Sequence, residues 1–549
     1  MSGLGSLDKG VFMTYKFFTK TLILLMLLSS CNNIKENKKE IKDEITVNLE
    51  YELKTIDPTL NSSSYGFIYI NHAFEGLLSK DTNNNIIEGV ANKWEISKDN
   101  LVYTFHLRDN AKWSDGKKVT AGDFLYSFRR AVNPKTASPM SYLMEYIKNA
   151  KDITKGLKSV ESLGVIAADE NTLIIELEAP TLYFLDIVAS GGIYVPVRED
   201  IIETYGDDWT WKAETYIGNG AYKMVERKPD ELIAFEINTN YWDYKNQVAK
   251  RINFVLMADE YIALNSVRTG DVDFSITAPP IGEIENLIKD GLMAVSDIIG
   301  CYYIDVNTKD KALSDKRVRK ALSLAIDRNY IARNIGHGKL IATGGFVPPV
   351  VKGLNKSFRE ESGDYIDINN YAKNIEEAKR LMAEAGYPNG ENFPTIELNV
   401  GAGFYTTVME AVQDMWKKNL NVDLRLRTVE SKISLPLREA GNYQMVRASW
   451  TGDYNDPLTM LQIMTSDSDF NYGGFSNERY DNLIEYARTS IDAEKRMEAL
   501  REAEAILFDE VPIIPFIYRT DFLVVSPKLK NYTDEPLGRY KFNYAYIEK

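Results

Sequence analysis

The chain has 549 residues, 44% of them hydrophobic and 26% charged, an ordinary composition for a soluble globular protein. That length exceeds what one hydrophobic core usually supports, so two or three domains are expected. A formal net charge of −14 provides no basic face for nucleic acid. The three histidines, His72, His106 and His337, are scattered without ligand spacing, so neither a metal nor another cofactor is expected.

Lys16 and Lys20 flank the start of an apolar run, Thr21 to Leu28, that ends in Leu28-Ser-Ser-Cys31. The run falls short of the roughly 20 residues that a membrane-spanning helix needs. It fits the apolar region of an export signal, here residues 1–30, with Met1 or Met13 as the start. The small residues before Cys31 resemble the lipobox of bacterial lipoproteins, which implies a lipid on that cysteine. Residues 31–44 are polar and charged with no apolar period, and they read as a flexible tether holding a globular body near a membrane. In a chain processed there, Cys301 has no partner for an internal disulfide. Its neighbours Tyr302, Tyr303 and Ile304 mark a buried strand cysteine.

Ile45, Val47, Leu49 and Tyr51 alternate as a half-buried strand within 45–60, closed by the turn at Ile56-Asp57-Pro58. Residues 66–78 read as a helix, and 94–107 as a hairpin about Lys98-Asp99-Asn100. Thr120 and Asp123 resemble a capping box for a helix that buries Phe124, Phe128 and Ala131, so Asp115 and Asp123 are architectural. A second capped helix follows Ser314-Asp315, with Val318, Leu322, Ala325 and Ile326 inward and the basic run 316–320 as a solvated face. A third begins at Asn374 and ends at Gly386 and Pro388. Residues 395–400 alternate, 408–416 repeat at helical spacing, and Val422, Leu424 and Leu426 alternate again. This is a strand–helix–strand unit and hence a parallel pair, with ligands expected beyond the carboxyl ends of its strands. Helical segments over 480–509 lead to a return strand at 511–518.

One stretch combines an arginine, a tryptophan and a carboxylate: Arg447-Ala-Ser-Trp450-Thr-Gly-Asp453-Tyr-Asn-Asp456-Pro457. It reads as a strand, a loop and a helix starting at Leu458. Asp456-Pro457 is expected to be an N-cap with proline at the first helical position. Asp453 has no such role and sits in a glycine-containing loop where binding carboxylates are often placed.

Phe74-Glu-Gly-Leu-Leu, 103–116, Gly218-Asn-Gly-Ala-Tyr222, 317–328 and 450–457 together resemble the peptide-binding lipoproteins of bacterial ABC importers. These belong to the large solute-binding family that also contains nickel, haem and sugar binders. The resemblance implies an α/β, two-lobed, periplasmic-binding-protein-like fold of type II, of the large peptide-binder class with an extra domain. Its implied divisions are lobe 1 (45–75, 200–300 and 518–549), an inserted extra domain (76–199) and lobe 2 (301–517), with the ligand buried between lobes. It implies that Asp453 pairs with a peptide's α-ammonium and that Arg438 and Arg447 serve the carboxylate end. Tyr405 stands where the family has a histidine. Trp450, Gly452, Tyr302, Tyr303, Tyr518, Ser62 and Ser64 are implied to line the cleft. The implied partners are an oligopeptide, permease and ATPase subunits, and a membrane reached through the lipid, with the chain exported, monomeric and not an enzyme. Alternatives are another solute (a nickel chelate, haem or a sugar), a peptide or pheromone sensor, or an exported hydrolase using Asp453 with Asp456. No nucleophile or metalloprotease motif supports the hydrolase.

Overall fold

Two long strands, Met293–Val306 and Ile513–Val525, run antiparallel through the middle of a ten-stranded sheet. The computed structural model describes residues 41–549, so the segment expected to be an export signal, the expected lipidation site Cys31 and most of the expected tether lie outside the described residues. On one side of the long pair the order continues through Met445–Thr451 and Ile396–Val400 to Leu424–Thr428. On the other it continues through Phe274–Ser275, Glu44–Asn48, Arg251–Val255 and Leu232–Ile237 to Tyr222–Lys228. The fold is two-lobed α/β, and residues 43–547 form one compact unit.

Period explains the outer strands of the first side. Ile396–Val400 and Leu424–Thr428 are parallel, with Ile396 opposite Leu424, and Phe404–Leu420 is the crossover helix. That helix buries Val408, Met409, Val412 and Trp416, the apolar face that helical spacing requires. A separate four-stranded antiparallel sheet comprises Ala91–Ile96, Val102–Leu107, Thr172–Glu176 and Val165–Ala167, in that spatial order. The helix Ala121–Val132 packs on it with Phe124 and Phe128 buried. At its start the Asp123 carboxylate accepts the Thr120 N–H at 2.7 Å. Asp115 is architectural too, pairing with Arg198 at 2.8 Å.

The long strands do not pair evenly. Asp297 faces Thr520 and Cys301 faces Tyr518, so Ile298, Ile299 and Gly300 together oppose the single residue Arg519. Such a bulge bends and twists a strand locally. Glycine is needed there, because a Cβ on Gly300 would lie 2.7 Å from the Trp450 carbonyl oxygen and 3.1 Å from the Arg519 Cβ.

Several expectations change. The helix expected over 66–78 is Ser64–Ala73, and Leu78–Lys80 is a strand. Gly218 and Gly220 press against the backbone at Ala73 and Phe74, where the chain leaves the helix. The strand expected within 45–60 is only Glu44–Asn48. The basic run 316–320 is not wholly solvated, since Arg319 is buried. Its guanidinium donates to the carbonyls of Leu313, Ser314, Glu510 and Val511, tying two helix ends together. His72 is interior as well: its Nδ1 lies 2.7 Å from the Ile68 carbonyl oxygen, and its Nε2 accepts the Phe542 N–H. Burial holds its pKa down at about 4, so it is neutral. Among the described residues no helix is long and apolar enough to cross a membrane, and no cluster of three or more His, Cys, Asp or Glu could hold a metal ion.

Candidate functional site

Strand Met445–Thr451 pairs antiparallel with Met293–Val306, placing Trp450 opposite Cys301 and Arg447 opposite Ile304. The chain then leaves the sheet as a loop carrying Asp453. The Asp453 N–H donates to Thr459 Oγ1 at 2.8 Å, and its Oδ2 accepts the Tyr142 hydroxyl at 2.9 Å. Burial pushes this carboxyl up to about 6, against the opposing pull of the Tyr142 hydrogen bond and the Arg539 charge. Asp453 makes no ion pair among the described residues.

Aromatic rings surround it. The Trp450 indole donates to the Thr459 carbonyl at 2.8 Å, and its ring lies 4.8 Å from that of Phe470, which packs on Tyr142 at 5.5 Å. Nearby, the Tyr146 and Tyr454 hydroxyls bond at 2.9 Å. Gly452 makes the tight approach possible. A Cβ there would lie 2.5 Å from Ile299 Cγ2 and 2.7 Å from Thr459 Cγ2. Gly452→Ala is therefore expected to destabilise the fold by about 1–3 kcal/mol through overpacking. Denaturant unfolding checks this, and an alanine variant of unchanged midpoint would refute it.

A second group lies along the same strand. The Arg447 guanidinium sits 4.3 Å from the Tyr405 ring centre and 5.8 Å from that of Tyr302, and the two rings are 4.4 Å apart. Tyr405 is the second residue of the helix Phe404–Leu420, entered through Gly403 at φ 96°. The structure thus brings together Tyr302, Tyr405 and Arg447, and separately Trp450, Gly452 and Asp453.

Other residues read as cleft-lining have different duties. Arg438 is occupied by the buried Asp305 at 3.0 Å, an acceptor it shares with the Tyr443 hydroxyl. Tyr303 is buried against Phe346 at 5.6 Å, and Tyr518 is buried beside Arg359 and Glu504. Successive strand residues face opposite ways, so Tyr303 cannot share the Tyr302 face. Cys301 is interior too, and burial pushes its thiol pKa up. Ser64 opens the helix Ser64–Ala73, and Ser62 is exposed just before it. Asp456 is no simple N-cap. Its Oδ1 accepts the Leu458 N–H at 2.9 Å at the start of a one-turn helix, Leu458–Leu461, as a cap does, and its carboxylate also forms a buried bidentate pair with Arg496 at 2.7 and 2.8 Å. With both oxygens so engaged, Asp456 offers no second carboxylate for hydrolysis.

Three contributors escaped sequence reasoning: Tyr142, Arg519 and Arg539. Tyr142 meets Asp453 across 311 residues of chain, and no local pattern marks it. Arg539 is buried with its Nε unpartnered, donating to the Ser190 carbonyl. A cavity of about 310 Å³ lies elsewhere, lined by Glu75, Lys80, Trp242, Glu535 and Lys541. Its charges are answered internally: Lys80 by Asp186, Glu535 by Lys541, and Glu75 by the Tyr241 and Trp242 donors.

A two-lobed α/β fold with a desolvated carboxylate set among packed aromatic rings has the features of a solute-binding protein. Over residues 85–472 the sequence matches the family described as bacterial extracellular solute-binding proteins, family 5 (middle region). It is 32% identical to the oligopeptide-binding protein OppA of Bacillus subtilis, covering 97% of this chain and 99% of that one. It is 35% identical to the periplasmic murein peptide-binding protein MppA of Escherichia coli, covering 89% and 90%. The solved structure of the Escherichia coli murein tripeptide binding protein MppA matches with a TM-score of 0.80 at 33% identity, over 92% of this chain and 99% of that one. Haemophilus influenzae OppA in complex with RPPGFSPFR matches with a TM-score of 0.80 at 30% identity, over 93% and 100%. The chain belongs to the bacterial extracellular solute-binding proteins, family 5. It is a substrate-binding protein and not an enzyme.

Proposed function

We propose that this chain captures oligopeptides between its lobes and delivers them to the permease and ATPase of an ABC importer. In this reading it is exported and held at a membrane as a monomer by a lipid on Cys31. Residues 45–75, 200–300 and 518–549 act as one lobe, 301–517 as the other, and 76–199 as the inserted domain that supplies Tyr142. The observation that carries the reading is Asp453, a desolvated carboxylate whose side chain is met by one phenol and no cation. A peptide α-ammonium supplies the missing charge, because a buried carboxylate is costly until paired. The relatives include an oligopeptide-binding protein and a murein peptide-binding protein, which points the same way. Trp450, Tyr302, Tyr405 and Arg447 would contact the rest of the ligand, with main-chain pairing in the manner of an added strand.

The test is calorimetric titration of the refolded, ligand-free protein with a mixed-sequence pentapeptide and with its N-acetylated form. Tight binding that acetylation abolishes supports the reading. Equal binding of both forms would remove Asp453 from it. A pH dependence follows as well. Asp453, with its pKa near 6, must lose a proton to receive the ammonium. Affinity should be flat above that value and fall about tenfold per pH unit below it. Titrations at pH 7 and pH 5, in buffers of different ionisation heat, should show proton release only at the lower pH.

A further inference from the structure

Among the described residues no carboxylate pairs with Arg447. Its Nε is buried without a hydrogen-bond partner, and its guanidinium has only the faces of Tyr302 and Tyr405. A second guanidinium stands near it. Arg519, the residue opposite the sheet bulge, is within Coulombic range of Arg447, and both lie within range of Tyr302 and Tyr405. Its Nη1 donates to Thr451 Oγ1 at 2.5 Å, and its Nε lies 3.5 Å from an Asp521 oxygen. Asp521 also accepts the Tyr540 hydroxyl, so it answers Arg519 only in part. Two cations thus lie near one aromatic pair, and among the described residues the only carboxylate in contact with either is Asp521, which Arg519 shares with Tyr540. Like charges held out of water repel, and an anion placed between them relieves the repulsion.

We propose that Arg519 joins Arg447 in a carboxylate cradle, and that Arg519 is a specificity residue selecting peptides with an anionic group a few residues from the amino terminus. The inference rests on the peptide reading above. Chain geometry sets the reach. Thr451, which Arg519 touches, precedes Asp453 by two residues, and Arg447 precedes it by six. Extended chain rises about 3.3 Å per residue, so the cradle lies roughly 7 to 20 Å from the ammonium site. A ligand of two to six residues spans that distance. The carboxylate is either the C-terminus of a short peptide or an acidic side chain, and either presents two oxygens to an arginine fork.

The experiment compares four ligands on the full-length protein: trialanine, trialanine amide, Ala-Ala-Glu amide and Ala-Glu-Ala amide. Each is titrated into wild type, Arg519→Gln and Arg519→Lys. Thermal melts of the free variants establish that both fold. Arg519→Gln should weaken carboxylate-bearing ligands by about 10- to 100-fold and leave trialanine amide unchanged. Arg519→Lys keeps the charge but loses the fork, and should fall between. Loss confined to trialanine identifies the C-terminus as the anion, and loss confined to the glutamyl amides identifies a side chain. An Arg519→Gln variant that binds all four ligands as wild type does, or weakens all four alike, overturns this inference alone. A wild-type protein that binds none of them, nor the pentapeptide, overturns the peptide reading and this inference with it.

Discussion

Asp453→Ala should weaken binding of a free-amino peptide by about 2–5 kcal/mol, roughly 30- to 5,000-fold, the usual loss when one partner of a buried charge pair is truncated. The ligand's ammonium would then be desolvated with only the Tyr142 hydroxyl beside it, and a phenol carries no countercharge. The free protein should not suffer in proportion. A carboxyl whose folded pKa stands near 6, above its ordinary value, binds its proton more tightly folded than unfolded. Such a group costs stability progressively as pH rises from about 4 to 6, and the cost persists at neutral pH. Its removal forfeits one hydrogen bond, worth about 1 kcal/mol, and relieves that cost, so the unfolding midpoint at pH 7 should barely move. Titration calorimetry paired with urea unfolding checks both halves. A variant that binds the pentapeptide as tightly as wild type would sink the assignment.

Arg496→Ala should have the opposite profile, losing about 3–5 kcal/mol of stability because it strands the buried Asp456 carboxylate. The guanidinium makes both bonds to Asp456, donates its Nε to the Ala487 carbonyl at 2.7 Å, and lies 4.5 Å from the Tyr183 ring centre. Its side chain is 3% exposed and that of Asp456 is 8% exposed, so water cannot replace the lost partner. Asp456→Ala should be comparably damaging, well beyond the ~1 kcal/mol of a lost N-cap. Equilibrium urea unfolding measures both. A loss below about 1 kcal/mol would mean that the pair is a surface contact in solution.

The contrast between these two aspartates shows what the sequence could carry. Asp453 stood out because local rules offered it no structural job, and the structure leaves it without a countercharge in contact. Asp456 does accept the Leu458 N–H as its proline suggests, yet its stronger partner lies 40 residues downstream in a helix that reads as ordinary. Local signals were reliable where the physics is local. The strand–helix–strand unit over 395–428 follows from period alone, and the box at Thr120 and Asp123 from spacing. Contacts between distant segments left no trace: Tyr142 on Asp453, Arg519 opposite a bulge, Arg319 knitting four carbonyls. Tyr303 is a different lesson. Reading Cys301 as a buried strand cysteine already puts its neighbours Tyr302 and Tyr303 on opposite faces of that strand, a consequence that the cleft-lining expectation did not use.

The two long strands have a consequence beyond binding. Because Met293–Val306 and Ile513–Val525 bond to each other and each to the strands on its own side of the pair, neither half of the ten-stranded sheet is complete alone. Cutting the chain into separate lobes would leave long rows of unpaired N–H and C=O groups, the kind of edge that recruits other chains and aggregates. Each half of the sheet therefore serves as the other's protection against self-association, and the protein cannot be divided there without exposing both.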